Sequence, residues 1–354
     1  MGLLQETLER IRPQDPEARA RARARLEQLT MPRWALGRLM NLAEDLAGMT
    51  GSLRPSTAAK IIVVMAGDHG VTAEGVSKFP GEVTLQMVHN FVNGGAGINA
   101  LARQAGAGVT VVDMGVAADL TDLAKAGKII SQRIAPGTKN MAQGPAMSRQ
   151  EALKVVEAGI AVSLRLGDQA DLFGTGEMGI GNTTPASAVV SVLGGAPVRE
   201  VTGRGTGIDD HQLEHKIGVV QRAIDLNRPD PGDGLDVLAK IGGFEIGGIA
   251  GLILGCASLR KPVLVDGFIS TAGALIAQRL CPTAGDFMIA AHRSVERGHR
   301  VALAALEKDP LLDLDMRLGE GTGAALAMNL VDAAVRILTE VATFDEAMVS
   351  QADK

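Results

Sequence analysis

Residues 60–70 read Lys-Ile-Ile-Val-Val-Met-Ala-Gly-Asp-His-Gly, seven mostly aliphatic positions that run into a glycine-framed polar turn. A short continuous apolar run bounded by turn residues predicts a strand buried on both faces. The pattern recurs. Residues 108–114 end in Gly115, 169–173 in Gly174-Thr-Gly-Glu177, 262–265 in Asp266-Gly267, and 286–291 in His292-Arg-Ser294. Helical stretches separate these runs, which predicts a parallel sheet covered by helices on both faces. Ligands of such sheets bind outside the carboxyl ends of the strands, where these glycines and polar residues fall.

The fold class is therefore α/β: a Rossmann-like parallel sheet covered by helices, with a small helical subdomain built from both termini. Residues 60–323 form the large α/β domain in this reading, and 1–59 with 324–354 the small one. Asp15-Pro16-Glu17 starts one outer helix, and its alternating arginines, Arg19 to Arg25, predict a solvated face. Leu36, Leu39, Leu42 and Leu46 mark the next helix. Residues 147–166 predict a crossover or interface helix, and 324–349 the final one.

The chain has 354 residues, of which 46% are hydrophobic, so it fills a core without resort to disorder. Seven Phe, one Trp and no Tyr give little surface for stacking bases, and a net charge of −5 gives no general attraction to nucleic acid or anionic membrane. Apolar runs such as 246–257 are short or broken by glycine, so no membrane span is expected. Cys256 and Cys281 lie outside any CxxC pattern and read as free buried thiols. The first residues lack a secretory pattern, and a cytoplasmic location is expected. The 44 glycines exceed the usual share of about 7% and gather at strand–helix joints, as expected for backbone wrapped around a small anion.

Residues 317–326, Arg-Leu-Gly-Glu-Gly-Thr-Gly-Ala-Ala-Leu, hold one carboxylate, Glu320, between two glycines and before an Ala-rich helix. With Thr322 as N-cap, Glu320 is expected at the positive end of that helix, bare of side-chain cover, ionised and able to accept a proton. A solvated loop acid is the competing reading of this segment alone. Gly174-Thr-Gly-Glu-Met-Gly-Ile-Gly-Asn-Thr-Thr-Pro185 has the form of a phosphate loop before a helix, although Glu177 better suits ribose hydroxyls or a cationic ring. A tight strand–helix turn is the alternative. Gly203-Arg-Gly-Thr-Gly-Ile-Asp-Asp210 is compatible with an anion nest or a plain turn, with Arg204 or Lys216 adding charge. The loop 75–86 mixes Phe79, Pro80, Val83 and Leu85 with Ser77 and Gln86, which suits a flat aromatic ligand or simply covers the sheet. His211 and His215 lack a third ligand partner, and no metal site is expected. Neither a nucleophile elbow nor a Walker loop occurs.

In order, these segments closely resemble the nicotinate-nucleotide–dimethylbenzimidazole phosphoribosyltransferase family, from about residue 29 onward. Its motifs match at 67–70, 75–99, 174–185, 203–209, 242–251, 265–273, 292–299 and 317–326. One departure is Met31-Pro-Arg-Trp-Ala-Leu-Gly37, where the family more often has Lys-Pro-x-Gly-Ser-Leu-Gly. The resemblance implies transfer of phosphoribose from nicotinate mononucleotide to 5,6-dimethylbenzimidazole or a related azole, giving nicotinate and α-ribazole 5′-phosphate. It implies Glu320 as general base, with Glu177 and Lys216 as further active-site residues. It places Gly179, Gly205 and Ser294 at the phosphate, and Ser77 and Gln86 at the azole. Gly176, Asn182, Thr206, Arg317, Leu318 and Gly319 fall in the same substrate-binding motifs. No cofactor and no magnesium are expected, the partners being small-molecule substrates, and the family implies a homodimer for which the apolar helices at 85–105 offer a surface. A purine or phenolic acceptor, or a nucleotide-binding protein without turnover, are the alternatives.

Overall fold

The computed structural model describes residues 2–350. Six strands form one sheet: β1 (Lys60–Gly67), β2 (Gly108–Gly115), β3 (Ile130–Ser131), β4 (Leu172–Met178), β5 (Val263–Val265) and β6 (Met288–Ala290). Their order is β3-β2-β1-β4-β5-β6 and every pairing is parallel. The chain builds outward from β1 to β3, then returns to lay β4 on the other side of β1. That reversal sets β1 and β4 side by side at the centre of the sheet. Ile62 to Ala66 are all fully buried, as their unbroken apolar run requires.

Each face of the sheet is covered. Ile62 pairs with Gly174 across β1 and β4, and a Cβ on Gly174 would meet Ile62, Ala324 and Met328, so this face lies under the helix Thr322–Glu340. On the other face Gly115 lies against the Phe244 ring, the first residue of the helix Phe244–Ser258. That helix crosses Arg149–Leu166 with backbones in direct contact. A Cβ on Gly159 would stand 2.1 Å from the Gly248 carbonyl oxygen, and one on Gly251 2.0 Å from that of Val156. The glycines that interrupt the apolar run 246–257 therefore serve helix packing.

The outer helices pack in two places. Leu3–Arg10 lies on Arg149–Leu166 and Phe244–Ser258, whereas Pro16–Leu26 and Arg38–Thr50 pack on Thr322–Glu340. Asp15 caps the second helix through the amides of Glu17 and Ala18. Its arginines are less solvated than alternation predicts: Arg19 pairs with Glu44 and Asp45, and Arg25 with Glu346 and the Leu338 carbonyl. Trp34 stands where the related pattern has glycine, in a left-handed conformation of φ 56°. The Arg23 guanidinium lies 5.5 Å from its ring and Asn41 accepts from its indole N–H, contacts that offset the strain.

Several predicted boundaries move. β4 runs through Gly174-Thr-Gly-Glu to Met178, so these residues are strand and not the loop after it. β6 is shortened by the 3₁₀ turn Pro282–Phe287. The last long helix ends at Glu340, and residues 351–354 of the expected small domain lie outside the described residues. Thr322–Glu340 is the one described helix long and apolar enough to cross a bilayer, and here it packs against β4 and β5. Both cysteines are free, Cys256 buried and Cys281 half-buried.

The helix crossing gives a stability test. Gly251→Ala should cost about 1–3 kcal/mol through overpacking against backbone that cannot move aside, read as a lower urea midpoint with unchanged slope. An unchanged midpoint would show that the two helices can separate freely.

Candidate active site

The carboxyl ends of β4, β5 and β6 and the turn before Thr322–Glu340 enclose a cavity of about 530 Å³. It is lined by Ser77, Glu177, Gly179, Asn182, Gly205, Thr206, Ser294, Arg317, Leu318, Gly319 and Glu320, all read as site residues from the sequence. Three of the named residues lie elsewhere. Gln86 is exposed and outside the lining, while Val83 and Met87 of the same helix face the cavity. Gly176 lies beneath the Glu320 backbone, since a Cβ there would come 2.4 Å from the Glu320 carbonyl oxygen. Lys216 lies one residue behind the wall.

Glu320 is held in a rare backbone state. Gly319, Glu320 and Gly321 have φ of 82°, 61° and 94°, three consecutive left-handed residues, and the non-glycine member costs of order 1–3 kcal/mol. Asp266, at the end of β5, fixes the turn: Gly321 N–H donates to its Oδ2 at 3.2 Å and Ala324 N–H to its Oδ1 at 2.9 Å. The Thr322 hydroxyl donates to the Gly319 carbonyl at 2.8 Å, so Thr322 is the first helical residue and Gly321 the cap.

The expectation of a bare carboxylate is corrected. Glu320 is 7% exposed. Its own helix N-terminus belongs to Asp266. The Glu320 carboxylate instead accepts from the Ile98 N–H at 3.0 Å, in the first turn of the helix Gly97–Ala105. Burial raises its pKa above the ordinary carboxylate value; the Ile98 bond opposes this and the Asp266 charge adds to it.

Glu177 adjoins it: a Cβ on Gly319 would lie 2.1 Å from Glu177 Oε1. Glu177 is 6% exposed, and burial pushes its pKa up to about 8. The bond donated by the Asn182 amide opposes the rise, while Asp266 and Glu245 reinforce it. A pKa near 8 favours the protonated carboxyl at neutral pH, and a cation beside it would favour release of that proton. Behind it, Glu245 accepts from His69 at 2.8 Å; burial pulls this imidazole down, but the Glu245 carboxylate holds it above its usual value.

The opposite end is built for an anion. Gly179 to Asn182 lead into the helix Thr183–Gly194, whose positive dipole end meets the cavity at Thr183. Lys216, wholly buried, donates to Thr183 Oγ1 at 2.6 Å, and burial lowers its pKa to about 8 against the opposing charge of Glu296. Thr206 Oγ1 accepts from Lys78 N–H at 3.2 Å and lies 3.4 Å from Ser77 Oγ, joining the 203–207 loop to the 76–79 loop. Ser294 N–H donates to His299 Nδ1 at 2.8 Å. Burial drives the His299 pKa down to about 3, so the ring is neutral, its proton on Nε2 facing Thr271 Oγ1 at 2.9 Å. Val76, Phe79, Val83, Met87, Ile180 and Phe268 supply an apolar wall, and Leu318, 59% exposed, sits at the rim.

Sequence reasoning gave no role to Asp266, Thr183 or His292. Their one signal is position, since Asp266 and His292 directly follow β5 and β6 runs. His292 lines the cavity 3.8 Å from Asp266, and neither ring nitrogen has a hydrogen-bond partner among the described residues. His215 meets the Glu74 carbonyl at 2.6 Å. Among the described residues no three His, Cys, Asp or Glu side chains gather as a metal site.

The state of Glu177 is measurable in the free protein. Its pKa rises from 4.5 unfolded to about 8 folded, so the stability tied to its proton is whole below about pH 4.5 and is lost as pH climbs toward 8. The Tm of Glu177→Gln minus that of the unaltered chain should increase between about pH 5 and pH 8. A difference that stays flat would show that Glu177 is ionised throughout.

A family model described as Phosphoribosyltransferase matches residues 11–349. The nicotinate-nucleotide–dimethylbenzimidazole phosphoribosyltransferase of Syntrophotalea carbinolica is 65% identical over 351 residues, 99% of each chain. That of Desulfotalea psychrophila is 58% identical over 355 residues, the whole of both. The crystal structure of the same-named protein from Thermus thermophilus superposes with a TM-score of 0.90 at 46% identity, covering 96% of this chain and 100% of that one. A parallel sheet with its cavity at β4 and β5, a strained glutamate in the cavity wall and these full-length likenesses agree: the chain is a phosphoribosyltransferase and belongs to the nicotinate-nucleotide–dimethylbenzimidazole phosphoribosyltransferase family.

Proposed function

We propose that the chain transfers the 5-phosphoribosyl group of nicotinate mononucleotide to 5,6-dimethylbenzimidazole or a related azole, in assembly of the lower ligand of cobalamin. The observation that carries this reading is Glu320, fixed in the cavity wall beside Glu177 and opposite an anion-binding end. The nicotinate nitrogen of the donor is already cationic, so this group leaves neutral and needs no acid. The other azole nitrogen attacks C1′ as the C1′–nicotinate bond breaks, with inversion at that carbon. The azole N–H proton passes to Glu320.

Burial helps this role, because a raised carboxylate pKa brings the base closer to the operating pH and strengthens proton transfer. Glu177, releasing its proton as the cationic donor docks, holds negative charge near the ribosyl carbon while positive charge develops there. The apolar wall with Phe79 and Phe268 seats the flat ring, with Ser77 at its edge. Gly179, Asn182, Gly205 and Ser294 surround the phosphate, and Arg317 to Gly319 close the rim over the donor. Gln86 has no role in this arrangement. We read the enzyme as cytoplasmic and homodimeric, with the exposed sides of Val83–Asn93 and Gly97–Ala105 in the interface.

Glu320→Ala should lower kcat by about 10²–10⁴ and leave nicotinate mononucleotide binding close to that of the unaltered enzyme, measured by nicotinate release and by calorimetry. Unchanged turnover in that variant sinks the mechanism.

A further inference from the structure

Lys216 is wholly buried and does not reach the cavity surface, although its charge belongs to the anion-binding end. Among the described residues its one hydrogen-bond acceptor is Thr183 Oγ1, at 2.6 Å. Thr183 does line the cavity. We propose that Lys216 is a positioning residue that acts through Thr183, and that the Thr183 hydroxyl donates directly to an oxygen of the donor's 5′-phosphate.

The argument is one of lone pairs and protons. A hydroxyl has a single proton and two acceptor sites. The Lys216 ammonium can only donate, so it occupies an acceptor site of Thr183 Oγ1 and leaves the Thr183 proton free. No described residue accepts that proton. The Glu296 carboxylate faces Lys216 electrostatically, but its buried Oε2 has no hydrogen-bond partner, so it does not close the network.

The backbone keeps Thr183 open to the cavity. Gly205 is left-handed, with φ of 49°, and a Cβ there would stand 2.8 Å from Thr183 Oγ1 and 3.3 Å from Lys216 Nζ. Any side chain at 205 would cover the Thr183 hydroxyl and press on Lys216 behind it. Thr183 is also the first residue of Thr183–Gly194, so its hydroxyl stands at the positive end of that helix. An ammonium behind a hydroxyl, a helix N-terminus and a bare glycine turn converge on one anion. This assignment rests on the phosphoribosyl-transfer reading, in which the donor carries two anionic groups, the phosphate and the nicotinate carboxylate. The glycine turn and the helix end favour the tetrahedral phosphate.

The test uses the full-length enzyme and calorimetric binding of three probes: ribose 5-phosphate, nicotinate and nicotinate mononucleotide. Thr183→Val removes the hydroxyl at nearly constant shape. It should weaken ribose 5-phosphate and nicotinate mononucleotide about tenfold or more, the loss typical of a hydrogen bond to a charged group, and leave nicotinate unchanged. Thr183→Ser should restore binding. Lys216→Met should weaken phosphate binding similarly, and the double variant should be no worse than the poorer single one, because both act through one hydroxyl. In turnover, the donor KM should rise with the acceptor KM unchanged.

Wild-type affinity for ribose 5-phosphate in Thr183→Val would overturn the proposal, as would a loss confined to nicotinate. Additive losses in the double variant would overturn the relay, since Lys216 would then touch the ligand itself. If Thr183→Val unfolds, Thr183→Ala removes the same hydroxyl and takes its place in the single and double variants. Absence of nicotinate release by the unaltered enzyme would sink the assigned reaction, and the ribose 5-phosphate measurement would still stand.

Discussion

The active site depends on the Asp266 carboxylate at the N-terminus of the last long helix. Asp266 is buried at the tip of β5 and accepts from the amides of Gly321 and Ala324. An anion at that place stabilises the helix end, and the same bonds fix Gly321 directly after Glu320. The left-handed glutamate is thus held by a strand-end acid that does not itself line the cavity. Gly176 completes the support from below, because only a residue without Cβ lets β4 approach the Glu320 carbonyl this closely.

The electrostatics follow from crowding four carboxyl groups into this region. Glu177, Glu245, Asp266 and Glu320 are all buried, and no lysine or arginine pairs with them among the described residues; His69 bonds Glu245. The cluster relieves itself by keeping a proton on Glu177. Such a site is short of positive charge, which the cationic ring of the proposed donor would supply. At the far end the imbalance reverses, with the Lys216 ammonium and a helix N-terminus beside the cavity. A zwitterionic nucleotide complements both ends at once, which gives the cavity a sense of direction.

Much of this was legible in the chain. Continuous aliphatic runs ending in glycine gave the parallel sheet and the location of the cavity, because burial on both faces leaves no alternation to read. Glu320, Glu177 and the 174–185 loop stood out by being polar among glycines. What stayed hidden depends on contacts between distant segments. Nothing near 320 in sequence shows that Ile98 will bond its carboxylate, or that Asp266 will take the helix end assigned to Glu320. The glycines at 174 and 176 resemble turn residues, and only the pairing of β1 with β4 reveals them as strand positions under close contact. Gln86 was placed by motif, and helix phase turned it away while bringing Val83 and Met87 inward.

The central claim is that Glu320 accepts the azole proton. Its most direct test is the ratio of kcat/KM for the azole in the unaltered enzyme to that in Glu320→Gln, followed across pH. Dividing the two profiles cancels the ionisation of the azole and of every other group they share. The ratio should climb with pH along a single titration whose midpoint lies above 4.5, the ordinary value for a glutamate. A ratio independent of pH would contradict the account, since the carboxylate would then be holding the ring in place without taking its proton.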